Sequence, residues 1–188
     1  MLPLRQIILI HMKFDKIIVS ENAFNSEDTN AIINSNIAVI NLLREEGVAD
    51  EDIHEDALIS YYLDYYTSLV NTDGFAKFVY NSQWTENLNE ILEEAFEKVG
   101  SQAHLDYFRM QTEKIDSLTR KEFDGFMDQE FGKSPIKDKI DDDTYFEIPE
   151  ALVTLNAQWL RKHSDLKVMS IEDMYTELEK FIGRKIER

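Results

Sequence analysis

The stretch Thr85-Glu86-Asn87-Leu88-Asn89-Glu90-Ile91-Leu92-Glu93-Glu94-Ala95-Phe96-Glu97-Lys98-Val99-Gly100 decides how the rest of the chain is read. Leu88, Ile91, Leu92, Ala95, Phe96 and Val99 recur at steps of three and four, which puts them on one stripe of an α-helix packed against a core. Glu86, Glu90, Glu93, Glu94 and Glu97 fall on the opposite face, interrupted within the segment only by Lys98. Thr85 or Asn87 opens the helix, and Gly100 stands where a C-terminal cap belongs. Exposed helices ordinarily alternate Glu and Lys at i, i+4, because like charges at that spacing cost about 0.2–0.5 kcal/mol per pair. Here that cost recurs. Five carboxylates over eleven residue steps extend roughly 16 Å at about 1.5 Å per residue. That is roughly one charge per 3 to 4 Å, close to the ~3.4 Å phosphate spacing of one B-DNA strand. A protein groove built for DNA could accept such a row; a plain solvated helix face has the same pattern.

The same periodicity extends in both directions. Ser26-Glu27-Asp28-Thr29 precedes Ile33, Ile37, Ile40 and Leu43, and Gly47 follows, which predicts a helix of some twenty residues. After the acidic cluster Asp50, Glu51, Asp52, Glu55 and Asp56 comes a second helix bearing Leu58, Tyr61, Tyr62, Tyr65, Tyr66 and Leu69. Asn71-Thr72-Asp73-Gly74 breaks it, and Phe75, Phe78 and Val79 re-enter the core. Ser101 caps a further helix through Leu105, Phe108 and Met110, extended or resumed over Leu118 to Phe131. Gly132 to Ile140 is the main loop, Pro149 suits the first turn of a helix with Leu152, Leu155, Trp159 and Leu160, and Ser170-Ile171-Glu172-Asp173 has the form of a capping box. Strands fit only at Leu166 to Met169 and near the start of the chain. The fold class is therefore all-α, with six or seven helices, short loops and at most a minor strand pair.

With 188 residues the chain is expected to form one domain, read as 26–188 behind an N-terminal extension of residues 1–25. The Leu2 to Ile10 region has an uninterrupted apolar run of only four residues, too short to span a membrane, and no small-x-small cleavage site follows. Met12 is a candidate natural start, with His11-Met12 a junction; a short native strand or helix is the other reading. Zero cysteines exclude thiol catalysis, disulfides, cysteine-ligated zinc and iron–sulfur clusters, and there is no Asn-x-Ser/Thr acceptor, so the cytoplasm is the expected location.

The net charge of −17 argues against direct contact with nucleic acid or an anionic membrane and favours a basic partner. It is regional: residues 21–150 carry −20, whereas the two ends are slightly positive. An acidic proteome alone would also produce a low pI. Catalytic signatures are absent. Six scattered glycines allow no dinucleotide fingerprint or phosphate loop, and no His-Glu-x-x-His pair occurs. Glu51-x-x-His54 has the spacing of half a di-iron site, but the second half is missing, and His54 reads as a residue at a capped helix start. Asp141-Asp142-Asp143 fails as a calcium loop, since positions six and twelve would be Phe146 and Leu152. The expectation is a non-enzyme without cofactor or metal.

At Val70-Asn71-Thr72-Asp73-Gly74-Phe75-Ala76-Lys77-Phe78-Val79-Tyr80-Asn81-Ser82 the chain resembles the bacterial DNA-mimic protein 19 family, whose signature runs approximately Val-Asn-Asn-Gly-Gly-Phe-x-Gln-Phe-x-x-Asn-Ser. The Tyr61 to Tyr66 segment and Val99-Gly100-Ser101 fit the flanking pattern, as do, more loosely, Asp142-x-x-Tyr145-Phe146 and Trp159 to His163; the resemblance covers about residues 50 to 165. Thr72, Asp73 and Lys77 depart from it. Physically the motif is structural: Asn71 and Asp73 can satisfy backbone donors, Gly74 permits close approach, Phe75 and Phe78 anchor a short helix, and Asn81-Ser82 end it. The resemblance implies an acidic dimer that imitates DNA and occupies a transcription regulator's DNA-binding surface. Glu86, Glu90, Glu93, Glu94 and Glu97 are the main candidates for that contact, with Asp50, Glu51, Asp52, Glu55, Asp56 and Asp141, Asp142, Asp143 as secondary patches. The alternative is an inhibitor or immunity-type protein neutralising a basic nuclease or toxin.

Overall fold

The amphipathic stretch is a helix, Glu86–Val99, and its neighbours follow the capping logic of the sequence. The computed structural model describes residues 13–187. In chain order these form β1 (Ile17–Ser20), α1 (Glu21–Phe24), α2 (Thr29–Glu45), a 3₁₀ turn (Asp50–Asp52), α3 (Glu55–Asp73), α4 (Phe75–Ser82), α5 (Glu86–Val99) and α6 (Gln102–Asp116). Then come α7 (Arg120–Met127), α8 (Lys137–Ile140), a second 3₁₀ turn (Asp143–Glu147), α9 (Leu152–Lys162), β2 (Leu166–Met169) and α10 (Ile171–Ile182). The protein is mainly α, with one two-stranded parallel sheet among the described residues, Ile17 opposite Leu166 and Ser20 opposite Met169.

Ten helices stand among the described residues where six or seven are expected from sequence. α1 and α8 are single turns too short for periodicity to register, and the Ser101 to Phe131 segment divides at Ser117, where Thr119 starts α7 with a reciprocal capping box to Glu122. α8 occupies the end of the stretch read as a loop. Pro149 precedes α9 rather than entering it; Ala151 is the N-cap. The described part of the supposed extension, residues 13–25, belongs to the fold: Phe14, Ile17, Ile18 and Val19 are all buried. β1 is covered on every side by β2, α2 and α10, so its run of apolar residues carries no alternation to mark it as a strand. The readings of Leu2 to Ile10 and of Met12 lie outside the described residues.

Two apolar clusters share α3 and α9. The first joins α3 to α8 around Tyr66, whose ring meets Phe75, Phe78, Phe96, Phe108 and Tyr145 edge-on at centroid distances of 5.1–6.4 Å. The second gathers β1, α2, α9 and α10 around Ile17, Ile33, Ile40, Leu43 and Leu160. Two buried asparagines fasten the layers to α3: Asn36 Nδ2 donates to the Ala57 carbonyl at 2.9 Å and Asn156 Nδ2 to the Ser60 carbonyl at 3.1 Å.

Candidate partner-binding face

α5 and α6 form a helical hairpin turned at Gly100, which takes φ +78°, and Ser101, whose Oγ caps α6. Leu88, Leu92, Ala95, Phe96 and Val99 are buried, so the opposite face of α5 is turned outward with all five of its glutamates. Between the two helices runs a groove of about 700 Å³ lined by those glutamates together with Asp116 of α6 and the flank of Trp84. Among the described residues, six carboxylates and no cationic side chain line it.

The row is not uniformly free. Arg109 of α6 reaches across to Glu93 Oε2 with Nε at 2.9 Å and Nη2 at 2.6 Å, and lies 3.7 Å from Glu97. The bond to Glu93 holds the Arg109 guanidinium above its ordinary range. Lys98 binds Glu94 at 2.7 Å and Asp56 at 2.5 Å. Burial works against the charge of Lys98, but those carboxylates outweigh it and raise the ammonium's pKa. Glu86, Glu90 and Asp116 have no ion pair among the described residues. Arg109 and Asp116 escaped the reading of α5 because they sit on the next helix; Arg109 lies about as far after the Gly100–Ser101 turn as Glu93 lies before it, the one signal an antiparallel hairpin would give.

Of the secondary patches, Asp50 accepts Nε and Nη2 of Arg44 at 2.8 Å each and the Tyr62 hydroxyl at 2.8 Å, and the Arg44 contact holds its carboxyl below the usual range. Asp56 is pushed up by burial but more strongly down by Lys98 and His163. Asp142 is likewise opposed by burial yet held at about 2 by Lys114, Thr144 and Gln111. Asp141 Oδ1 accepts the Ala76 N–H at 2.7 Å while its other oxygen binds Lys137 at 2.8 Å. These four aspartates have internal partners. Glu51, Glu55 and Asp143 are exposed, with Lys98 3.8 Å from Glu55, and Asp52 is half-buried beside Phe14, whose N–H donates to its carbonyl.

The signature motif has a different mechanism from the local one expected. α3 continues through Asn71 to Asp73, both exposed, and α4 begins at Phe75. Gly74 between them has φ +87° and ψ 175°, a region open essentially to glycine alone. The N-terminus of α4 is capped by Asp141, 65 positions away, rather than by Asn71 or Asp73. Phe75 and Phe78 are buried as anchors; Ser82 Oγ accepts the Trp84 N–H at 3.2 Å, and Asn81 is exposed.

No group of three His, Asp or Glu among the described residues is placed to hold a metal ion, and Glu51 and His54 are joined by no second pair. No described helix is long and apolar enough to cross a membrane. Fold and face together define a mainly α-helical protein with a carboxylate-lined groove on one helical hairpin. Residues 51–163 match the family model described as DMP19-like protein, and the chain belongs to that family. No curated protein and no solved structure matches it. The matched span holds the whole α5–α6 hairpin and the whole Tyr66 cluster, while β1, α2, β2 and α10 lie outside it.

Proposed function

We propose that this protein acts by binding rather than by catalysis, presenting the α5–α6 face to the DNA-reading surface of a basic regulator and so keeping that regulator off DNA. The observation that carries the reading is the groove with six carboxylates and no cation in its lining. Along α5 the charges recur over roughly 16 Å, a spacing that suits side chains placed to meet phosphates. Membership of the family supports the reading through the role its resemblance implies, in the cytoplasm and as a homodimer.

The test begins with an affinity pull-down from the native cell and mass spectrometry of the eluate. Wild type and the triple variant Glu86→Gln, Glu90→Gln, Asp116→Asn are then titrated calorimetrically against the partner, with a DNA duplex as competitor. The three substitutions remove charges without internal partners, so the fold is retained while affinity falls roughly tenfold or more, or about 1.4 kcal/mol per factor of ten. Unchanged affinity removes this face from the interface. Simultaneous binding of DNA and this protein to the partner rejects the mimic reading, and a nuclease in the eluate supports the inhibitor reading instead.

A further inference from the structure

A cavity of about 250 Å³ lies apart from the α5–α6 groove, where α3 and α6 meet the start of α9. It gathers parts of the family pattern that the fold leaves without a structural task. Asn71 caps neither α3 nor α4, and Phe146 is 62% exposed although large and apolar; both stand on this cavity. Phe146, Ile148, Pro149 and Leu152 make its walls apolar. Two sets of unsatisfied polar groups belong to the same lining. α9 starts at Leu152 behind Ala151, which has no side chain to cap it, and the N–H groups of Leu152 and Val153 have no acceptor among the described residues. The other is His104, 2% exposed. Its Nε2 lies 2.9 Å from the Glu150 carbonyl, which can only accept, so the ring proton is on Nε2 and Nδ1 is the bare nitrogen. That Nδ1 is buried without a partner. Burial holds the ring below its ordinary range and keeps it neutral.

We propose that this cavity binds a neutral planar ring carrying an amide edge, an aryl carboxamide or a lactam. The carbonyl of such an edge accepts from the first-turn N–H groups of α9, and its N–H donates to His104 Nδ1. Charged ligands meet only half of the site. An anion suits the N-terminus of a helix, but it has no proton for a bare imidazole nitrogen, and Glu150, whose Oε2 accepts the Ser101 hydroxyl at 2.6 Å, already places a carboxylate there. A cation has donors alone and leaves the backbone N–H groups of Leu152 and Val153 unanswered. An acceptor buried without a donor is destabilising, so a ligand that brings the donor gains by it. The volume lies below the ~300–1,000 Å³ of drug-sized sites and suits a single ring, to which Tyr145 and Phe146 offer aromatic surface. Phe146 stands on the short 3₁₀ turn Asp143–Glu147 and is the exposed side chain that moves to admit the ring.

The test titrates the wild-type protein with benzamide, benzoate and N,N-dimethylbenzamide, which share the ring and differ in the edge, and follows ¹⁵N–¹H spectra. Benzamide should shift the Leu152 and Val153 amides and the His104 ring nitrogens together and saturably, with a Kd of about 1 mM, the scale for so small a ligand. The other two have no N–H to give and should bind at least about tenfold more weakly. His104→Phe keeps a buried ring and removes the acceptor, so the preference for benzamide over its dimethyl analogue should vanish. Phe146→Ala, at an exposed position, should weaken benzamide severalfold without lowering the thermal midpoint. The absence of saturable shifts at Leu152 and Val153, equal binding of the three ligands, a preference that survives His104→Phe, or binding indifferent to Phe146→Ala overturns the proposal. If His104→Phe does not fold, the comparison of the three ligands on wild type decides it.

Discussion

Replacing Gly74 by alanine sets a side chain against the carboxylate that caps α4. A Cβ built there lies 2.6 Å from Asp141 Oδ1 and 2.8 Å from its Cγ, closer than carbon ever approaches either atom. Two costs follow. Holding an alanine at φ +87°, ψ 175° costs about 1–3 kcal/mol. Displacing Asp141 surrenders the 2.7 Å bond to the Ala76 N–H, a helix cap of about 0.5–2 kcal/mol. Together they predict a loss of about 2–4 kcal/mol, and at about 2–4 °C per kcal/mol for a chain of this size the thermal midpoint should drop by about 5–15 °C in a circular dichroism melt. The two costs are separable. In an Asp141→Ala background the collision and the cap are both gone already, so Gly74→Ala should cost only its backbone share, leaving a coupling of about 1 kcal/mol in the double-mutant cycle. A Gly74→Ala midpoint within about 2 °C of wild type, or strict additivity in the cycle, would refute the account.

Acid should act on Asp142: its folded value of about 2 lies below the unfolded value near 3.9, so its stabilisation is present above about pH 4 and lost as pH falls through about 2. Asp142→Asn should cost about 1–2 kcal/mol at neutral pH, allowing for its partial exposure, and flatten the acid limb of a urea-midpoint profile; an unchanged limb would count against it. At the other extreme, burial raises the phenols of Tyr66 and Tyr107 and brings Tyr145 to about 12. Raised values stabilise below the unfolded value near 10 and are lost above it, so absorbance titration should show these three ionising only as the chain unfolds, and full reversible ionisation of all eight tyrosines in a folded protein would contradict this.

What the sequence disclosed was whatever repeats locally. The α5 stripe and the Gly100 and Ser101 caps were legible because helical periodicity and capping are properties of neighbouring residues, while the span of the DMP19-like match was legible only through the resemblance carried by the Val70 to Ser82 motif. Gly74 was legible as a glycine that permits close approach, yet the group that approaches it, Asp141, was not, since nothing in a run of three aspartates says that one of them reaches back 65 positions. The same holds for Arg109, which only the hairpin sets beside Glu93. In a chain with 37 acids, burial is what separates carboxylates that hold the fold from those that face outward, and burial is a property of the assembled chain. His54 looked like a surface residue at a helix start; it is a helix cap, but its second nitrogen is committed to a turn 111 residues on.

The parallel pairing of β1 with β2 also bears on how the chain is made. Ile17, Ile18 and Val19 leave the ribosome 149 positions ahead of Leu166, Lys167 and Val168, against which they pair. At about 5–20 residues per second that is a wait of roughly 7 to 30 s, during which an apolar strand has no edge to join. The DMP19-like segment lies wholly between the two strands and contains the Tyr66 cluster, so it has the contacts to collapse first, while closing the sheet carries the loop entropy of the entire intervening chain. Translation thus exposes the sticky β1 segment until β2 has appeared, and a nascent-chain chaperone should be found on β1 rather than on the family domain.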